Sequence, residues 1–191
     1  MARSKAEKAK THERIVRTAA RRFREDGLAG VGIADLMSEA GLTVGGFYKH
    51  FESRDALVAE AVSSAFGTWQ KRADAAASGG PPFSFEKLVD DYLSVRHRDD
   101  AGTGCVFSAL TGELARSDEQ TRALGSQQVR ADLQLLAGFF PDSDKGTAEA
   151  RAALVFSALV GALSLSRVVS DDKLSRRILR SVASLLKDLG G

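Results

Sequence analysis

Scarcity of proline constrains this chain more than any other feature. Three prolines occur in 191 residues, Pro81 and Pro82 side by side and Pro141 alone, so most of the chain can run as uninterrupted helix. A composition of 43% hydrophobic and 27% charged residues suffices to bury a core and excludes wholesale disorder. The length allows one domain of ordinary size and a smaller one. A single cysteine permits neither an internal disulfide nor a zinc site built on two or more thiolates. The longest uncharged stretch of the C-terminal part, residues 152–166, falls short of a bilayer span, and the basic N-terminus lacks the apolar core of a secretory signal. The expectation is a soluble, cytoplasmic, all-α protein without membrane association.

Charge is distributed unevenly. Residues 1–24 carry nine Lys and Arg against Glu7 and Glu13, whereas residues 25–60 carry seven acids against Lys49 and Arg54. A basic arm leading into a basic helix is the electrostatic footprint of phosphate binding, although a solvated tail and one charged helix face would look the same.

Helical periodicity then organises the N-terminal part. Thr11 is placed to cap a first helix whose apolar stripe is Ile15, Val16, Ala19, Ala20 and Phe23. Asp26-Gly27 ends it. A short helix follows over residues 33–40, then the tight turn Gly41-Leu42-Thr43, then a second short helix over 44–50 with Thr43 as its cap. Ser53 caps a long helix expected from Arg54 to about Ala77. Two short helices joined by a glycine turn behind a basic helix describe a helix-turn-helix; a plain αα-hairpin is the alternative.

The run from Gly41 through Phe47-Tyr48-Lys49-His50-Phe51-Glu52-Ser53-Arg54 to Leu57 closely resembles the DNA-binding domain of the tetracycline-repressor (TetR) family, strongly over residues 11–60. The resemblance implies about nine helices in two domains. These are a helix-turn-helix domain over 1–53 and a ligand-binding and dimerisation domain over 54–191. It also implies a DNA-facing set of Thr43, Val44, Gly45, Gly46, Tyr48, Lys49, His50 and Arg54. Thr43 offers a hydroxyl and N–H at a helix start, and Tyr48, His50 and Arg54 suit phosphate oxygens. Val44 and Lys49 remain to read bases. Phe47 and Phe51 are expected to anchor the short helix on Ile15, Phe23 and Leu36. Two helical glycines cost roughly 1 kcal/mol each relative to alanine, a cost that close approach to the major-groove floor would explain. Gly32 and Ala34 stand where relatives carry Ser or Thr and a long polar residue, which shifts expected DNA contacts onto the first helix and its arm.

The remainder reads as helices over 85–97, 104–115, 118–140, 147–169 and 172–189, after a break at Ser78-Gly79-Gly80-Pro81-Pro82. Ser117-Asp118-Glu119-Gln120 reads as a capping box and 141–145 as a loop. The helix from Thr147 is apolar nearly all round, which predicts burial on both sides. Ser157 and Gly161 on it would admit another helix closely. In the family the last two helices pair with a partner's, giving a homodimer interface expected at Phe156, Leu159, Leu163, Ile178, Val182 and Leu185; a monomer core would use the same stripes. A pocket for a small apolar or aromatic effector is expected among Phe66, Trp69, Tyr92, Cys105, Phe107, Phe139 and Phe156, which would equally serve as ordinary core. Cys105 begins an apolar helix, either as a reactive thiol or as inert packing, and His97 reads as a solvated cap near a helix end.

No nucleophile pairs with a base at recognisable spacing, and His12, His50 and His97 belong to separate segments, so an enzyme is not expected, nor a cofactor or metal. The implied function is a ligand-responsive regulator, a repressor released from a palindromic DNA operator. In the expected mechanism, ligand shifts the 85–97 helix and the long helix from Arg54. The alternative is an architectural protein that coats DNA without preferred sequence or ligand.

Overall fold

The structure, a computed structural model, describes residues 5–141 and 144–190. The first residues of the basic arm, Arg3 among them, the middle of the expected 141–145 loop and Gly191 lie outside the described residues. Everything regular among the described residues is helical. The chain divides into two compact units, Met1–Phe66 with Ala101–Gly125, and Gly67–Asp100 with Ser126–Gly191. The sequence division at residue 53 follows the chain; these units follow packing, which joins a segment from the middle of the chain to the N-terminal helices.

The first unit opens with α1 (Lys5–Asp26). It begins six residues before Thr11, which is buried inside the helix instead of capping it. Nothing in Lys5–Lys10 breaks a helix, so the helix continues back through the arm. Next come α2 (Ile33–Glu39), a 3-10 helix (Val44–Lys49) and α3 (Arg54–Ser64). Between α2 and the 3-10 helix, Leu42 N–H donates to Met37 O at 2.8 Å around a left-handed Gly41. That is the Schellman closure that turns the chain sharply. Ile15, Phe23, Leu36, Met37, Phe47 and Leu57 are almost wholly buried together. Each such side chain contributes about 1.5–3 kcal/mol by leaving water.

The long helix expected from Arg54 is broken. It ends at Ser64, where Ala65 and Phe66 N–H bond three residues back, to Val62 and Ser63, in place of four. Gly67 then adopts φ 74°, which favours glycine, and α4 (Thr68–Ala77) starts anew. The expected 85–97 helix is likewise two, α5 (Phe85–Tyr92) and α6 (Val95–Asp99). Ser94 interrupts them because its hydroxyl accepts from His97 N–H at 3.1 Å, starting a new helix. After α7 (Val106–Leu114) comes α8 (Glu119–Ala137). The cap of α8 is Asp118, which accepts from Thr121 N–H at 2.9 Å. Ser117 instead donates to Glu113 O, so the cap sits one residue later than the sequence pattern suggests, and with Thr121 at the third helical position no capping box forms.

In the second unit α9 (Lys145–Val168), capped by Asp144 through Thr147 N–H, packs along α10 (Asp172–Gly190), and α10 along α5. Leu88, Val89, Leu136, Leu159 and Leu163 fill this core. By length and composition α9 would suffice to cross a membrane. It is not buried all round: Leu154 and Leu165 are exposed, so only one face enters the core. His97 caps α5 as expected of a helix end, but it is half-buried. Its Nδ1 lies 2.8 Å from Tyr92 O, and its ring meets the Tyr92 ring edge-on.

Candidate DNA-binding surface

The 3-10 helix is anchored from beneath and bare on top. Phe47 and Phe51 are buried and stacked with ring centroids 5.4 Å apart, as their spacing implied. Above them Val44 is 50% exposed and Tyr48 75% exposed, an apolar and an aromatic side chain presented to solvent. Thr43, Gly45 and Lys49 are exposed too, and Gly46 and His50 half-buried. The element is 3-10 and not the expected α-helix, and Thr43, though at the cap position, forms no capping side-chain bond. Two successive glycines weaken an α-helix enough for the tighter winding to take over this short stretch.

Nothing inside the chain demands those glycines. A Cβ on Gly45 would meet no atom within 4 Å, one on Gly46 would touch only Met37 Cε at ordinary contact distance, and neither has positive φ.

The arginines divide into two groups. Arg22 bonds Asp26 at 2.7 Å and Glu39 at 2.8 Å, and Arg21 pairs with Glu25 and Glu39. The bond from Arg22, reinforced by Arg21, holds the Glu39 carboxyl below the ordinary carboxylate range. Arg24 donates to Gly102 O. Arg54, expected at a phosphate, turns inward: Nη2 donates to Leu28 O and lies 3.3 Å from Val31 O, and the guanidinium sits 5.6 Å from the Phe23 ring centroid. By contrast Lys10, Arg14 and Arg17, spaced i, i+4, i+7 on one face of α1, are exposed and, among the described residues, outside any ion pair. The same holds for Lys49. His12, in the same stretch, stacks on Phe51 at 4.5 Å and pairs with Glu60 at 2.6 Å, and its ring lies 5.8 Å from that of His50. The basic part of α1 is therefore fastened beside the end of the 3-10 helix. Sequence reasoning missed the Glu39, Glu60 and Glu113 pairings, which join residues far apart in the chain and leave no periodic signal.

The residues expected to line a pocket fall into separate groups. Trp69, Tyr92 and Phe156 are buried and pack ring to ring in the second unit, at 5.7 and 5.8 Å from Trp69. Phe139 packs instead with Phe83 and Phe85. In the first unit Phe66 stacks on Phe107 at 5.4 Å, and Cys105 is half-buried at the cap of α7. A cavity of about 290 Å³ in the second unit is lined by none of them: Arg98, Arg167, Asp172 and Ser175 make it polar. Of the expected dimer residues, Leu159 and Leu163 are fully buried within the unit and Phe156 nearly so, which removes them from any outer surface. Ile178 and Val182 are half-buried. The bare apolar side chains are Leu154, Leu165 and Val168 on α9 and Leu185 on α10. No group of three or more His, Cys, Asp or Glu suited to a metal occurs among the described residues.

A glycine-turned helix pair bearing an exposed face over an aromatic anchor has the form of a helix-turn-helix. Residues 15–61, in the N-terminal part of the chain, match the family described as "Bacterial regulatory proteins, tetR family". A curated relative, the uncharacterized HTH-type transcriptional regulator YerO of Bacillus subtilis, is 36% identical over 73 residues. The match spans 37% of this chain and a quarter (25%) of that protein's length. Among solved structures, E. coli NemR in its reduced form is 18% identical with a TM-score of 0.76, over 94% of this chain and 96% of that one. A TetR-family regulator of Cytophaga hutchinsonii is 21% identical with a TM-score of 0.73, over 98% of both chains. The regulator FadR of Bacillus subtilis in complex with stearoyl-CoA is 16% identical with a TM-score of 0.66, over 91% of this chain and 96% of that one. At these identities the structures share the fold.

Proposed function

We propose that the chain is a homodimeric repressor that a small apolar or aromatic molecule releases from a palindromic operator. The observation that carries the DNA reading is the bare face of the 3-10 helix, where Val44, Tyr48 and Lys49 stand exposed over buried Phe47 and Phe51. Exposing a tyrosine and a valine on one short element makes sense when a surface covers them. In this reading Val44 meets a thymine methyl and Lys49 a guanine edge or a phosphate. Tyr48 and His50 bind phosphate oxygens, Thr43 offers its uncommitted hydroxyl, and Gly45 and Gly46 let the backbone approach the groove floor. The unpaired stripe Lys10, Arg14 and Arg17 adds phosphate contacts. Arg54, committed to carbonyls, leaves this set.

Dimerisation is supported by α9, whose outward residues Leu154, Ser157, Gly161, Leu165 and Val168 follow helical spacing beside Leu185 of α10. Small residues amid apolar ones let a second helix approach closely. The effector reading is supported by the buried aromatic group Trp69, Tyr92 and Phe156. It gains further support from the stearoyl-CoA held by the similarly folded FadR.

The test is footprinting of the purified protein on DNA flanking its own gene and on duplexes recovered by selection from randomised DNA, across a salt series. A protected palindrome with half-sites about 34–36 Å apart that survives moderate salt is the expected result. Diffuse, salt-labile coating without sequence preference would replace this reading with the architectural one.

A further inference from the structure

The turn between α1 and α2 is gripped on both sides of a single residue. Leu28 N–H donates to Glu113 Oε1 of α7 at 2.7 Å, and Leu28 C=O accepts from Arg54 at the start of α3. Gly27, just before, has φ 82°, and a Cβ there would lie 3.2 and 3.3 Å from the two Glu113 carboxylate oxygens. This position therefore favours glycine for its conformation, and a Cβ there would also press on the Glu113 carboxylate. Nearby, Arg24 donates to Gly102 O. Hydrogen bonds with one charged partner are roughly twice as strong as neutral ones, and here two of them hold opposite ends of one residue's backbone. That residue lies five positions before α2 and sets where the helix-turn-helix begins.

We infer that Glu113 is a positioning residue for DNA recognition. From α7 it fixes the Leu28 backbone, with Arg54 as its counterpart, and so holds α2 and the 3-10 helix in the arrangement that reads sequence. Neither residue need touch DNA. The arrangement gives α7, which carries none of the proposed DNA-facing side chains, a direct hold on the element that does.

The inference rests on the DNA-binding reading above, and its test separates the two. Full-length protein is titrated against a duplex selected from randomised DNA by the unsubstituted protein, across a salt series. Glu113→Ala, which leaves Leu28 N–H without its partner, should weaken binding about tenfold with an unchanged salt slope, since no phosphate contact is lost. Glu113→Gln keeps an acceptor oxygen and should stay within about threefold. In the unsubstituted protein the Leu28 amide should exchange its hydrogen slowly for a loop residue. Unchanged affinity of Glu113→Ala, a slope reduced by about one, or a Leu28 amide exchanging as fast as an open loop would each overturn the inference. Should Glu113→Ala fail to fold, amide exchange and Glu113→Gln decide it. Failure of the unsubstituted protein to select any duplex would instead count against DNA recognition, leaving the grip on Leu28 to be judged by exchange alone.

Discussion

Asp132 lies on the inward face of α8, almost wholly buried, with Gln128 Nε2 at 2.8 Å as its hydrogen-bond partner. Burial pushes its carboxyl up to about 6, the Gln128 bond opposing only in part. In the unfolded chain the same group titrates near 3.8. Between these values the folded protein keeps a proton that the unfolded chain has released, so stability falls as pH rises from about 3.8 to about 6 and is level above 7. A difference of about two units corresponds to roughly 3 kcal/mol at pH 7.5, shrinking to about 1 kcal/mol at pH 4.5. Asp132→Asn removes the charge, keeps the shape and leaves Gln128 a partner. It should therefore stabilise the protein by up to about 3 kcal/mol at pH 7.5 and by about 1 kcal/mol at pH 4.5. Denaturant unfolding at the two pH values measures this directly. Equal gains at both, or a loss at pH 7.5, would refute a buried, proton-retaining carboxyl.

Other perturbations test other parts of the structure. Arg14→Ala and Arg17→Ala should each weaken DNA binding and lower the log–log salt slope by about 0.9. Arg21→Ala, whose cation already pairs with Glu25 and Glu39, should leave the slope unchanged; filter binding across a salt series distinguishes them. Leu165→Glu places a charge on the exposed apolar face of α9 and should convert a dimer to monomer in sedimentation while the helical content stays constant. His97 has its protonation opposed chiefly by burial and further by nearby Arg167, so the unfolded chain takes up its proton first as pH falls. Its contribution to stability is thus lost as pH drops below about 6.5. His97→Gln should flatten that limb of the pH–stability profile, and an NMR titration midpoint at or above 6.5 would contradict the assignment.

What the sequence made legible was whatever depends on neighbours along the chain. The apolar stripe of α1, the anchoring pair Phe47 and Phe51, the Gly41 turn and the cap at Ser53 are all local, and each stands in the structure. The breaks at Gly67 and Ser94 were missed, since a glycine or a serine inside an apolar helical pattern is compatible with either a break or a continuous helix. The charge count was the most misleading signal. Arg21, Arg22, Arg24 and Arg54 looked available to phosphate, but acids and carbonyls brought together by folding occupy them. The dimer stripe erred for a related reason: periodicity finds the apolar positions of α9 but does not say which side of the helix the rest of the unit covers, and Leu159 and Leu163 lie on the covered side.

The glycine pair of the 3-10 helix sets folding and recognition against each other at one position. An alanine Cβ at 45 would meet no atom within 4 Å outside its own helix backbone and chain neighbours among the described residues, and it should stiffen the segment by up to about 1 kcal/mol. A selection for heat resistance would then enrich Gly45→Ala, whereas, on the DNA reading proposed above, a selection for operator occupancy would discard it because the methyl group would stand between backbone and groove. Position 45 is where a search for robustness and a search for regulation should diverge first.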